Sequence, residues 1–482
     1  MKKILSTIIA LSILLTPFSS FGVNIPGYEG GIQNENSYKE VVFITGEPIV
    51  LEGSLTIRES GRGNNLTERY TYKLSNPQKN AKLDRTISLK VEENPSGDQI
   101  ISTKTLDSFK ETLTINGKKY IVGKDDYIWN QSTIDHQTPL LNYYAGDIMG
   151  RKTYKSDTET IVLDIEGDLV GYNSPWSATE TQSIKYSIDS INNTNKNRNW
   201  QGTANVETSY NKTKDYSYSE NTPTQISFRQ GVTTTEKHEN VLKYNYDLPR
   251  TGGKGRNIGE NSTSLGTVPI VNRLKIPAAR DIRGHALEEE MFLVASMEGL
   301  PANSENIGPD TFISRGDFAK IIVKSMDIPV EKLEEPKKTR GKKKPAPIPT
   351  TFKDVKTNHR NFDYIETVAK RGIMVGVNKY NFKPDAPLTR AEAYTTIIRL
   401  LGIKSNLAPI NQNYSTGFKD DRQIPAWAKD HVYVARQRGM ARGDYFYPNK
   451  EITKAESAKL IVDLIHYMQE DLKRDYRENI LN

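Results

Sequence analysis

The 482-residue sequence contains no cysteine. That absence rules out disulfides, thiol nucleophiles, thiolate zinc sites and iron–sulfur clusters. The fold must be stabilised by its cores alone, which suits a protein exposed to an uncontrolled redox medium outside the cell. Histidine is scarce, with six scattered residues. The best local pair, Asp135-His136, reads as part of a surface loop and not as a catalytic dyad. No His-Glu-x-x-His, Gly-x-Ser-x-Gly or phosphate loop occurs. Gly253-Lys254-Gly255 is followed by Gly259, one residue too late for a dinucleotide fingerprint, and no strand-turn-helix pattern surrounds it. These absences call for no cofactor and no metal, and the chain is read as not an enzyme. A glycosidase needs only two carboxylates, so a polysaccharide hydrolase stays as the alternative.

Long apolar runs are also missing, except at the start. Lys2 and Lys3 precede a mostly apolar run from Ile4 to Leu15, and Ser20-Phe21-Gly22 offers small residues around a cut. This is the pattern of a signal peptide, 1–22. The run is short of the roughly 20 apolar residues that a membrane span needs. A secreted protein without integral membrane contact is therefore expected. Net charge is +7, and much of the excess lies in one run from Lys337 to Lys344. Such a run usually suggests nucleic acid, but an exported chain meets wall polymer first. It reads as a solvated loop, part of a basic Pro/Lys linker at 331–350, with a weak contact to anionic wall polymer as the alternative, and no nucleic-acid partner is expected.

Residues 25–250 carry the signals of strands. Apolar residues alternate at Ile87, Leu89 and Val91, and again at Ile184, Tyr186 and Ile188. Thr and Tyr are dense, as a half-buried pleated surface prefers. The stretch from Leu113 to Val122 holds Asn116-Gly117, the dipeptide of a tight hairpin turn. The expectation is an antiparallel β-rich surface domain, as a sandwich or an extended sheet. Its segment 190–224, rich in Asn, Thr and Ser, reads as a long mobile excursion, and 251–275 reads as a linker.

After residue 275 the spacing turns helical and the sequence repeats at about 65 residues. Copies are expected at 276–330, 351–405 and 417–470. The second reads Phe352-Lys353-Asp354-Val355, then Gly372-Ile373-Met374-Val375-Gly376, Phe382-Lys383-Pro384 and Thr389-Arg390-Ala391-Glu392. The third reads Phe418-Lys419-Asp420, Gly439 to Gly443, Phe446-Tyr447-Pro448 and Thr453-Lys454-Ala455-Glu456. The first is the most divergent, with Asp281-Ile282, Gly299-Leu300, Pro309 and Ser314-Arg315-Gly316-Asp317. In each copy the Pro stands five residues before the Ser or Thr.

The last motif has a physical reading. Ser314, Thr389 and Thr453 stand where a helix should start, with Asp317, Glu392 and Glu456 three residues on. That is a capping box, in which hydroxyl and carboxylate each take an orphan amide. Between them a basic residue, Arg315, Arg390 or Lys454, shares the positive end of the helix. This makes a natural anion site. An arginine can grip a carboxylate with two parallel hydrogen bonds.

Phe-x-Asp-Val, Gly-x-x-x-Gly, Phe-x-Pro and Thr-Arg-Ala-Glu resemble S-layer homology repeats. The resemblance spans residues 276–470. It implies that the C-terminal part is an all-α, pseudo-threefold bundle of three helical repeats, which with the β-rich first part makes the expected fold class α+β multidomain. It implies binding, in grooves between the prongs, of secondary cell-wall polysaccharide linked to peptidoglycan, often capped by a pyruvylated sugar. The motif basic residues carried over are Arg315, Arg390 and Lys454. The expected location is the cell wall or surface layer, and other surface-layer proteins are a further partner class. Three departures weaken the pattern. Copy one lacks the opening Phe and second Gly, its Gly316-Asp317 replaces Ala-Glu, and Lys454 keeps the charge but loses the two-pronged grip. Arg390 is thus expected to make the tightest groove. Trp427 is open to two readings, stacking on a sugar face or core packing. Gly376 and Gly443 are expected to take a left-handed turn after the first helix and to border the groove.

Overall fold

A computed structural model describes residues 30–62, 65–218, 231–250, 255–330, 350–402 and 414–479. The expected signal peptide and the basic run from Lys337 to Lys344 lie outside the described residues.

Among the described residues fifteen strands between Ile32 and Arg273 form one antiparallel sheet, mostly in the order in which they follow along the chain. Tight turns permit that order. Asn116 and Gly117 have φ of 50° and 81°, and set Ile115 opposite Lys118 across the hairpin, as a two-residue turn with both central residues left-handed requires. Ile87, Leu89, Val91, Ile184, Tyr186 and Ile188 are all buried, while Lys90 and Lys185 between them face water.

The sheet is neither a sandwich nor flat, because it curls until its first strands meet its last. Phe43 packs its ring 5.9 Å from those of Tyr186 and Tyr244. Asn34 donates to the Gly266 carbonyl at 2.8 Å, and Asn257 to that of Gly46 at 3.1 Å. Inside the curl lies a closed charge cluster. Arg85 grips Glu40 with both Nη atoms at 2.8 Å and reaches Glu111 with Nε at 2.5 Å. Lys152 and Tyr154 complete Glu111 at 3.3 and 2.6 Å. Burial would raise the Glu111 carboxyl, but the charges of Arg85 and Lys152 and the hydrogen bonds hold it well below the usual carboxylate range.

Three expectations need correction. The stretch 251–275, expected as a linker, holds the strands Arg256–Gly266 and Ile270–Arg273, both paired to Val232–Pro249. The segment 190–224 is not a mobile excursion throughout, because Trp200–Tyr218 is a 19-residue strand. Its exposed Thr203, Asn205 and Glu207 alternate with buried Ala204, Val206 and Thr208, so its polar composition reports mainly the outward face. Asp135-His136 lies in the strand Tyr127–Gln137 and not in a loop. Neighbours in a strand point to opposite faces, and His136 sits 3.6 Å from Asp98 instead.

Among the described residues seven α-helices follow. They are α1 (Glu288–Ser296), α2 (Arg315–Ser325), α3 (Phe362–Lys370), α4 (Arg390–Leu401), α5 (Ala426–Gln437), α6 (Lys454–His466) and α7 (Leu472–Asn479). Helices α1, α3 and α5 open the three copies, and α2, α4 and α6 close them. Helix α4 shows why they form. Thr389 caps it, Ala391, Ala393, Ile397, Ile398, Leu400 and Leu401 give it a buried face, and Gly402 ends it at φ 65°. A π-turn at Tyr467–Asp471 carries α6 on into α7, past the expected end at 470.

The residue before each helix cap joins a closed ring. Ile313 donates its amide to the Ile452 carbonyl, Ile452 to Leu388, and Leu388 to Ile313, each at 3.0 Å. The helical part is also docked on the sheet. Its core continues through Leu140, Leu141, Tyr143, Tyr172, Trp176 and Val232. Leu140 donates to the Leu400 carbonyl at 3.1 Å, and the Tyr218 hydroxyl to that of Glu289 at 3.0 Å.

Candidate functional site

An aspartate shapes the turn before each helix cap. Asp354 accepts the amides of Phe382 and Lys383 at 2.8 and 2.7 Å. Asp420 accepts those of Phe446 and Tyr447, both at 2.7 Å. Asp281 accepts those of Ile307 and Gly308 at 3.0 and 2.7 Å. The second residue of each pair is left-handed, with φ of 56° at Lys383, 55° at Tyr447 and 75° at Gly308. The carboxylate offsets the cost of that conformation by satisfying two amides at once.

The turn of one copy receives the helix start of another. Arg315 and Gly316 donate their amides to Ala386 and Pro384, Arg390 and Ala391 to Lys450 and Pro448, and Lys454 and Ala455 to Thr311 and Pro309, at 2.8 to 3.1 Å. Three equivalent junctions result. Thr389–Glu392 and Thr453–Glu456 form complete capping boxes. Ser314 accepts the Asp317 amide, but the return bond is missing. Aspartate is one methylene shorter than glutamate, and the Asp317 carboxylate is taken by Arg360 and Asn361 at 2.7 and 2.8 Å.

The three basic residues have different fates. Arg315 is buried, with Nε on the Phe382 carbonyl at 2.8 Å, Nη2 on the Val375 carbonyl at 2.8 Å and Nη1 on Glu392 at 2.5 Å. Burial depresses its pKa, opposed by the charges of Glu392 and Asp354. Lys454 donates to the Ile307 carbonyl at 2.7 Å. Arg390 makes no side-chain hydrogen bond among the described residues, and its Nε is buried and unpartnered. Its guanidinium lies over the rings of Tyr394 and Phe446, at 5.3 and 5.4 Å.

Arg390 lines a cavity of about 250 Å³, with Tyr394 from the same helix, Met440 and Arg442 from the turn after α5, and Ile452, Glu456, Lys459 and Asp463 from or beside α6. Glu456 and Asp463 are already paired, with Lys450 and Lys459 respectively, both at 2.5 Å. Burial would push the Glu456 carboxyl up. Hydrogen bonds from Lys450 and the Thr453 amide, with the charges of Lys450 and Arg390, outweigh it and hold the group below its usual range. Among the described cavity residues, Arg390 and Arg442 pair with no acid, and Arg442 donates Nε to the Gly439 carbonyl at 2.7 Å. A buried unpaired donor costs about 1–3 kcal/mol, and a hydrogen bond from a charged donor returns about 1.5–3 kcal/mol. The cavity thus sets an unpaired buried donor of Arg390 beside acids that are already engaged.

Other expected site residues fall elsewhere. Trp427 is 55% exposed on α5, which removes the core-packing reading, and it does not line this cavity. Gly376 is not left-handed. The left-handed residues after the first helices are Glu298, Gly372 and Gly439, at φ 62°, 66° and 69°, while Gly443 follows at 102°. Gly376 instead allows a close approach, since a Cβ there would stand 2.5 Å from the Asn378 carbonyl oxygen. Tyr394, Arg442 and Lys450 escaped sequence reasoning. The signal was present for two of them in the alignment of the copies, where Arg442 replaces Val375 and Lys450 replaces Ala386.

These features define a repeat module with a cationic groove at a junction between copies. The second and third copies are S-layer homology domains, the family model matching residues 351–393 and 417–458. Copy one lies outside that match and shares the backbone ring and the aspartate turn. Domains of this family bind cell-wall polysaccharide and anchor surface proteins to the wall, which indicates a cell-surface or cell-wall location. The chain is 27% identical over 156 residues to the S-layer protein EA1 of Bacillus anthracis, covering 32% of this chain and 16% of that protein. It is 28% identical over 160 residues to the exoglucanase XynX of Acetivibrio thermocellus, covering 33% and 13%. It is 26% identical over 136 residues to an endoglucanase of Bacillus sp. (strain KSM-635), covering 27% and 14%. The chain thus spans at most 16% of the length of these three relatives, and the matches lie over the repeat region. No described helix is long and apolar enough to cross a membrane.

Proposed function

We propose that this chain is exported and held to the bacterial wall without a covalent bond, by secondary cell-wall polysaccharide seated in the Arg390 groove. The three copies act as one pseudo-threefold bundle, a reading supported by the closed ring through Ile313, Leu388 and Ile452. The carrying observation is Arg390, a guanidinium over two aromatic rings with a buried, unpartnered Nε. A carboxylate on the glycan, such as a ketal pyruvate, fits that fork with two hydrogen bonds. The curled sheet is a structural or adhesive module presented outward. It is not an enzyme in this reading. Its convergent buried carboxylates, Glu40 and Glu111, both face Arg85, and the cavity beside them holds only about 20 Å³, too little for a sugar.

The test is a pull-down of the mature chain on wall sacculi, with polymer intact or stripped. Binding should need the polymer, and Arg390→Ala should weaken it by about tenfold or more, the loss of at least one charged hydrogen bond. Binding indifferent to both would remove the anchoring reading. A wall-anchored glycan hydrolase is the second reading, prompted by the two glucanases among the relatives. Those matches cover the repeats and so carry no argument for the sheet. Release of reducing ends from wall glycan by the mature chain would favour it.

A further inference from the structure

The three junctions share one backbone plan, yet Arg390 alone of their basic residues makes no side-chain hydrogen bond among the described residues. The explanation lies three residues before the box, where the turn residue is Ala386 in one junction, Lys450 in the next and Thr311 in the third. At the first junction nothing from Ala386 can reach the box acid. Glu392 uses Oε2 to cap Thr389, and its Oε1 is taken by Arg315 at 2.5 Å. At the second junction Glu456 likewise uses Oε2 to cap Thr453, but its Oε1 is taken by Lys450 at 2.5 Å. At the third, the box acid is Asp317, held by Arg360 and Asn361, and Lys454 rests on a carbonyl.

We propose that Lys450 opens the anion groove: by occupying Glu456 it keeps that acid from closing on Arg390, and so leaves Arg390 to an outside carboxylate. Lys450 is a positioning residue, since it touches Glu456 and not the ligand. Its pair with Glu456 is half in solvent, with side-chain exposures of 48% and 31%, whereas the Arg315 side chain in the closed junction is 5% exposed. A lysine with that access can hold the acid without filling the groove. The consequence is one working anion groove in a module with three equivalent junctions.

This inference rests on the anchoring reading above, and the experiment separates the two. Binding of the mature chain to polymer-bearing sacculi is measured for Arg390→Ala, Lys450→Ala, Lys450→Arg and the double variant Lys450→Ala with Glu456→Gln. Glutamine still completes a capping box but carries no charge to draw Arg390. Lys450→Ala should weaken binding by about tenfold, equal to roughly 1.4 kcal/mol. Lys450→Arg and the double variant should both return most of the affinity, which a merely structural role for Lys450 would not produce. Thermal melting of each variant checks the fold. If Arg390→Ala binds like the parent, the anchoring reading itself fails. If Arg390→Ala weakens binding but Lys450→Ala does not, or the double variant stays as weak as Lys450→Ala, the role of Lys450 fails while anchoring stands.

Discussion

Arg315 and Arg390 occupy the same place in two copies of one motif, and the molecule uses them in opposite ways. Arg315 is buried against two carbonyls and Glu392, and ties copy one to copy two. Arg390 lies over Tyr394 and Phe446 at the edge of a cavity, with no such ties. The helix cap and the backbone contacts are shared by both. A neighbouring side chain differs, Ala386 in one case and Lys450 in the other. A repeated basic motif therefore marks a repeated fold position, and whether it also marks a site depends on which acid is free to close on it.

The largest expected effect tests that contrast through stability. Arg315→Ala removes the donors of two carbonyls and the partner of Glu392, and should cost about 3 kcal/mol. Arg390→Ala should cost under about 1 kcal/mol, because no protein hydrogen bond is lost. Urea unfolding of both variants would show it, and equal costs would erase the distinction.

The same contrast between engaged and unengaged charge exists inside the sheet. Glu111 is held by Arg85 and Lys152, whereas Glu180 is buried and among the described residues has a single donor, the Tyr144 hydroxyl at 2.7 Å. Burial pushes the Glu180 carboxyl up to about 7 from an ordinary 4.5, against the opposing pull of Tyr144 and Lys104. A carboxyl raised in the folded state costs nothing while protonated in both states. Its penalty therefore grows as pH rises from about 4.5 to about 7 and is complete above that. Glu180→Gln should remove the penalty and stabilise the protein by about 2 kcal/mol at pH 8, with little change at pH 4. Melting curves at the two pH values decide it, and a gain at both would contradict the titration.

The smallest effect concerns the caps. Thr389→Ala breaks a complete box and Ser314→Ala a one-sided one. Each should cost about 1 kcal/mol, with the larger loss at Thr389. A larger loss at Ser314 would mean that its contact with Asp317 matters more than the reciprocal bond.

Much of the fold was legible because its signals are local. The Asn116-Gly117 hairpin and the alternation at Ile184, Tyr186 and Ile188 depend on residues near in sequence, and so do the boxes at Thr389 and Thr453. The errors share one cause. Arg256–Gly266 and Trp200–Tyr218 are polar and rich in Asn, Ser and Thr, which reads as loop. They are strands because long partners lie beside them, Val232–Pro249 for both and Ser177–Asn192 for the second. Partnership of that kind is invisible in a composition.

The sequence by itself determined the β-rich first part, the helical repeats, their caps and the basic residue at each helix start, because capping, turn geometry and periodicity act over a few residues. Only the tertiary structure decided which of those basic residues is available. The choice depends on charged groups brought together across copies, Arg315 to Glu392 over 77 positions, and on the side chain that stands beside each acid after folding. Electrostatic competition between groups a few ångströms apart decides that outcome.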